Sequence, residues 1–185
     1  MALKNLVLLM SQNPDQSIRQ VSCVYLRKVI TNQWLNLTAE DKNHIKLLLL
    51  TRFVEEPVTL VKKNIADVIG SLGKILIPNK EWLELFQFVQ QRSSSANLAD
   101  RELAILLLSV IIEYFSIEDT KAHHAILNGI LSTFLQSEHN SLKTLAIETV
   151  MNFAANIQSM AVLKKYGNLI PLVIAAIDPE DQEMI

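Results

Sequence analysis

The chain has 185 residues, half of them apolar and 19% charged, with a formal net charge of −2. Such a length allows one domain or one stacked array with ample core, and so small a charge does not point to nucleic acid or an anionic membrane surface as partner. The single cysteine, Cys23, excludes a disulfide framework and a cysteine-based zinc site, and fits a reducing compartment.

In chain order, the apolar start through Met10 reads as a helix rather than a signal peptide. Its apolar run is short and no small-residue cleavage site follows. This first helix covers residues 2–12 and is stopped by Asn13-Pro14. Asp15 caps the second, with Ser17 as the alternative cap; the helix runs to about Thr31 and leaves through an Asn32-Gln33-Trp34 loop. Thr38 caps the third, with acids in its first turn and an apolar face through Ile45, Leu48, Leu49 and Phe53. Pro57 and Pro78 bracket the fourth, residues 58–77. The fifth covers 81–91, the sixth 98–114, the seventh 119–136 and the eighth 141–157. A ninth begins near Met160 and breaks at Gly167 and Pro171. Apolar residues nowhere alternate, so no strand is expected, and no apolar run approaches the ~18 residues of a membrane span.

The fourth segment is the template for the others. Val58, Val61, Ile65, Val68, Leu72 and Ile75 form one apolar stripe, and Ala66, Ile69, Gly73 and Leu76 a second beside it. So wide an apolar arc demands neighbours on two sides. Each copy of the pattern places a basic residue three positions before a small one: Arg19 before Ser22, Lys63 before Ala66, Arg101 before Ala104, Lys143 before Ala146. The small residues follow one another at intervals of 44, 38 and 42. Helix pairs at this period predict a HEAT or armadillo array, an all-α, right-handed solenoid. Residues 1–185 form one such segment, with pairs at about 2–31, 38–77, 81–114 and 119–157 and a half repeat at 160–177. Both end helices are apolar rather than polar-faced, as expected of a slice from a longer array.

No residues nominate an active site. His123 and His124 point to different faces of a helix, and neither they nor His44 and His139 share a ligand spacing with a carboxylate or cysteine. Ser93-Ser94-Ser95 lacks the glycines of a nucleophile elbow, and four glycines in all make no phosphate cradle. Glu55-Glu56 falls at a helix end and is expected in solvent. No enzyme, metal or cofactor is therefore expected.

Trp34 and Trp82 either wedge between adjacent helix pairs, as Ala66, Ala104 and Ala146 do at close helix crossings, or form a pocket for a partner's aromatic side chain. Arg27, Lys28, Lys63, Asp67, Ser71, Arg101 and Lys143 fall on the polar side of the second helices. They make either a solvated face or the concave, binding side of a curved array.

Residues 18–28 followed by Trp34 carry a basic-plus-Gln helix start, a Leu-Arg-Lys end and then Trp, and Glu81-Trp82-Leu83-Glu84-Leu85-Phe86 opens the fifth helix. In this order and spacing they resemble the N-terminal repeats of the importin-β family; Arg101 to Ile111 and His123-His124 resemble one branch of it. Two departures are Leu83, where the family has proline, and Ser22, where alanine is usual. The resemblance implies a nuclear import receptor found in cytoplasm, nucleus and pore. Its second helices would bind Ran in its GTP form, through Arg27, Lys28, Lys63, Asp67, Ser71, Arg101 and Lys143. Its further partners would be nucleoporins and cargo such as ribosomal proteins or histones, with no direct nucleic-acid contact and no membrane insertion. The alternative is a generic HEAT scaffold, which Ran-GTP binding distinguishes.

Overall fold

The computed structural model describes residues 2–157 and 159–177, which form eleven α-helices and one 3₁₀ turn, with no strand among them. The chain divides between Trp82 and Leu83 into two compact units.

The first unit holds α1 (Ala2–Gln12), α2 (Gln16–Trp34), α3 (Ala39–Glu55) and α4 (Thr59–Leu76). Consecutive helices form hairpins, α1 with α2 and α3 with α4, and the second helices α2 and α4 lie against each other. Asp15 is the cap of α2, its carboxylate accepting from the Ser17 N–H at 2.8 Å. Thr38 caps α3 by accepting from the Asp41 N–H at 3.1 Å. Trp34 belongs to the last turn of α2 rather than to an exit loop; its indole is 2% exposed, and burying so large a ring draws that turn into the helix. Helix α4 buries most of both predicted stripes, from Val61 and Ile65 to Ala66, Ile69 and Leu76, because it packs on α3 and α2 at once; Val58 and Ile75, at the ends of the first stripe, are half-buried. It ends in a Schellman arrangement: the Glu81 N–H donates to the Leu76 carbonyl and the Lys80 N–H to that of Ile77. Lys80 takes the left-handed conformation at φ 60°. This turn occupies 77–81, so the fifth helix starts at Glu84 instead of Glu81.

The second unit holds α5 (Glu84–Ser93), α6 (Leu98–Ile111) with the 3₁₀ turn Ile112–Tyr114, α7 (Ile117–Ala122), α8 (His124–Leu135), α9 (Asn140–Asn156), α10 (Met160–Lys165) and α11 (Leu169–Ala176). Helix α6 packs on α5 and α9, α8 on α9, and α11 on both α8 and α9. The predicted seventh helix is two. A capping box between Ser116 and Asp119 starts it early. It then breaks at His123 (φ −102°, ψ 13°), whose ring lies 4.4 Å from that of Phe86 while His124 meets Tyr166 edge-on at 4.6 Å. The ninth breaks around Gly167 as expected, but Pro171 does not interrupt it. Pro171 sits in the first turn of α11, where backbone N–H groups have no intrahelical partner to lose.

One ion pair ties the first unit together. Glu56, at the turn between α3 and α4, has a side chain with no exposed surface, contrary to its expected solvation. Arg19 grips it with two hydrogen bonds, Nε to Oε2 at 3.0 Å and Nη2 to Oε1 at 2.7 Å. The other end of the guanidinium, Nη1, donates to the carbonyls of Asn13 and Pro14, in the turn between α1 and α2. Arg52 and the Val58 N–H also donate to Glu56. Burial opposes the carboxylate charge, but the hydrogen bonds and the two cations outweigh it and hold Glu56 below the usual carboxyl range. The Glu56 hydrogen bond likewise raises the Arg19 guanidinium above its ordinary value.

Two outcomes follow. Ala66 is fully buried between helices, so Ala66→Leu should lower stability by about 1–3 kcal/mol through overpacking, seen as a lower urea midpoint. Glu56→Ala should cost about 3–5 kcal/mol, since it strands a buried guanidinium. Because the folded carboxyl sits below its unfolded value of ~4.3, the contribution of Glu56 is complete above that pH and is lost as pH falls towards the folded value. Denaturation of Glu56→Gln from pH 6 to pH 3 should therefore show a flatter acid limb than wild type.

The polar face of the second helices

In the first unit α2 and α4 carry five of the predicted residues, and their packing brings Arg27 and Asp67 together. Arg27 Nη1 lies 3.1 Å from Asp67 Oδ2, an ion pair that ties the two helices with side chains 49% and 41% exposed. So solvated a pair contributes about 1 kcal/mol or less. Lys63 is exposed one turn before Asp67 on the same face. The Lys28 ammonium stands 5.8 Å from the centre of the Tyr25 ring. Ser71 is committed to its own helix, its hydroxyl donating to the Asp67 carbonyl at 2.8 Å.

In the second unit α6 and α9 carry Arg101 and Lys143. Neither is fully solvent-facing, as the sequence pattern had suggested. Both are half-buried, and Arg101 Nε is shut away from water without a hydrogen-bond partner. Across the same helices Ser141 Oγ donates to Glu102 Oε1 at 2.6 Å. Glu102 and Ser141 escaped the sequence reading, although their separation carries a signal. They lie 39 residues apart and Arg27 and Asp67 lie 40 apart, one repeat in each case, so polar residues at that interval face each other across neighbouring second helices.

The basic residue ahead of each small one has no single role. Arg19 is the buried clasp and Lys63 is exposed. Ser22, Ala66, Ala104 and Ala146 are all buried, as close helix crossings require. Trp34 and Trp82 are buried at 2% and 3% exposure, so neither presents its ring to a partner's side chain. Cys23 is buried too, and desolvation pushes its thiol up to about 12, which keeps it an unreactive thiol. Among the described residues no three His, Cys, Asp or Glu side chains converge as metal ligands, and no helix is long and apolar enough to cross a membrane. This face offers charged and hydrogen-bonding side chains at the surface.

Comparison with known proteins agrees with this architecture. Residues 2–55 match the family described as Importin-beta N-terminal domain, and residues 57–183 match that described as IPO5-like, TPR repeats. The chain is 30% identical over 108 residues to the probable importin subunit beta-4 of Schizosaccharomyces pombe, covering 58% of this chain and 10% of that protein. It is 30% identical over 138 residues to human importin-4, covering 72% and 12%. The chain thus spans about a tenth of these relatives' length. The crystal structure of Kap121p shares the fold with a TM-score of 0.76 at 19% identity, over 98% of this chain and 17% of that one. Kap121p has also been solved bound to RanGTP and bound to Nup53p. A HEAT-type helical array matched along nearly its whole length in this way makes the chain a member of the importin-β family of nuclear transport receptors.

Proposed function

We propose that this segment binds Ran in its GTP form through the polar face of its second helices, as part of an import receptor resembling importin-4. Receptors of this family are not enzymes; they move between cytoplasm and nucleus through the nuclear pore. The observation that carries the reading is the packing of α2 on α4, which pairs Arg27 with Asp67 at the surface of the first unit, with Lys63 exposed one turn before Asp67 and Lys28 exposed elsewhere on α2. Ser71, Arg101 and Lys143 complete the proposed contact set. A rigid globular partner meets such side-by-side helices simultaneously, and charges there govern recognition and association rate more than raw affinity. Kap121p, which shares the fold, has been solved with RanGTP.

The mechanism is linked binding. Cargo, such as ribosomal proteins or histones, is taken up in the cytoplasm. Passage through the pore uses contacts with nucleoporins. Ran-GTP then lowers the receptor's affinity for cargo in the nucleus, and by reciprocity cargo lowers its affinity for Ran-GTP. No covalent step enters this cycle.

Calorimetric titration of the 185-residue chain with Ran loaded with GTP or with GDP tests the reading. The GTP form should bind and the GDP form should not. Lys28→Glu with Lys63→Glu should weaken binding by more than the ~1 kcal/mol of a screened surface charge, without changing the denaturation midpoint, because both lysines are exposed. No heat with Ran-GTP would replace this reading with the generic scaffold; equal affinity in the double variant would remove these lysines from the site.

A further inference from the structure

One carboxylate organises the turn between α5 and α6. Arg92 Nη1 donates to Asp100 Oδ1, and Ser95 Oγ donates to Asp100 Oδ2 at 2.9 Å. Ser95 Oγ also accepts from the Asn97 N–H at 3.1 Å, and Asn97 in turn caps α6. The Arg92 guanidinium lies 4.7 Å from the centre of the Phe88 ring. A single anion thus holds together an arginine and the serine three residues after it.

That spacing has a chemical meaning. A broad class of protein kinases grips an arginine three residues before the acceptor hydroxyl with carboxylates of its own. Three hydroxyl side chains of this chain follow a lysine or arginine at that distance: Ser22 after Arg19, Thr31 after Lys28 and Ser95 after Arg92. Ser22 is buried, and both it and Thr31 lie inside α2, where the backbone is committed to helical hydrogen bonds. Ser95 lies between helices. No residue from 92 to 97 is buried, so a kinase can draw this stretch out without opening the core.

We propose that Ser95 is a phosphorylation site for a protein kinase that selects arginine three residues before its acceptor, and that the phosphate takes Arg92 over from Asp100. The phosphoryl donor is ATP. The bond from Ser95 Oγ to the γ-phosphorus forms as the bond from that phosphorus to the ADP oxygen breaks. ADP leaves, and the hydroxyl proton passes to the catalytic carboxylate of the kinase. A phosphate on Oγ no longer offers the hydrogen that bonds Asp100, and two anions so close repel. Arg92 then pairs with the group of higher charge and more acceptor oxygens. The start of α6 favours the added negative charge. None of the residues proposed to contact Ran takes part.

The test treats the 185-residue chain with ATP and calmodulin-dependent protein kinase II, whose motif is Arg-x-x-Ser, and maps the phosphate by tandem mass spectrometry. One phosphate should appear, on Ser95. Ser95→Ala should abolish it, while Ser93→Ala with Ser94→Ala should keep it. Arg92→Gln should slow the transfer by roughly tenfold or more, as expected for losing a charge-assisted contact with the kinase. Asp100→Asn should speed it, because both Arg92 and the hydroxyl are released. Titration of the phosphorylated chain by phosphorus NMR reads the new pairing. An unpaired phosphoserine has a second pKa of about 6; Arg92 should hold it lower in the folded chain than in urea. No phosphate, phosphate on Ser93 or Ser94 in its place, or an undiminished rate in Arg92→Gln would overturn the site. A folded pKa at or above the value in urea would overturn the transfer of Arg92.

Discussion

The second helices must bury apolar surface on two sides at once, and the rest of the structure follows from that constraint. Helix α4 packs against both α3 and α2, and α6 stands in the same way between α5 and α9. A helix so placed needs small residues where its neighbour approaches, hence the fully buried Ala66, Ala104 and Ala146. The little polar surface that remains is confined to a narrow strip, and charges and hydroxyls gather there. The candidate Ran face is thus the remainder left by two-sided packing.

Polar groups near these interfaces divide into two kinds. The Arg19–Glu56 clasp is buried, and both sides of the ion pair are satisfied: the carboxylate takes the Arg19 fork, Arg52 and a backbone N–H, while the guanidinium also caps two turn carbonyls. A buried pair completed in this way joins two of the three inter-helix turns of the first unit, and removing either partner is costly. The Arg27–Asp67 and Glu102–Ser141 contacts lie on or near solvent, contribute little energy and leave their groups able to exchange partners. Structure resides in the first kind, and recognition is available to the second.

The second unit departs furthest from regular pairs. The 3₁₀ turn after α6, the break at His123 and the division between α10 and α11 lie beside two groups of aromatic rings. Phe86 meets Phe115 edge-on and His123 at a tilt, and Tyr166 meets both His124 and Phe153 edge-on. The Tyr166 hydroxyl donates to the Thr120 carbonyl at 3.3 Å, and burial pushes it up to about 12. Two adjacent histidines that each meet a different aromatic ring are better served by a turn than by a continuous helix.

Local chemistry wrote much of this fold into the chain. The stripes of α4, the Asp15 and Thr38 caps, the stop at Asn13-Pro14 and the recurrence of small residues at 44, 38 and 42 positions depend on near neighbours and helical geometry, and all are legible in one dimension. The Ser116–Asp119 capping box was equally local and could have been read from its spacing. The inclusion of Trp34 in the last turn of α2 and the burial of Glu56 could not be placed by local rules. A tryptophan wedged between helices can stand in a loop or in a helical turn, and a glutamate at a helix end is ordinarily a surface feature. Here the indole is drawn inward by packing, and the carboxylate is buried because Arg19, 37 residues earlier, arrives beside it in the fold. The polar face follows the same division. Periodicity placed Arg27, Lys63 and Asp67 on the polar side of their helices, but the pairing of Arg27 with Asp67, the half-burial of Arg101 and the meeting of Glu102 with Ser141 were decided by how neighbouring helices pack. Side-chain partners 39 or 40 residues apart are chosen by tertiary packing, which no local pattern specifies.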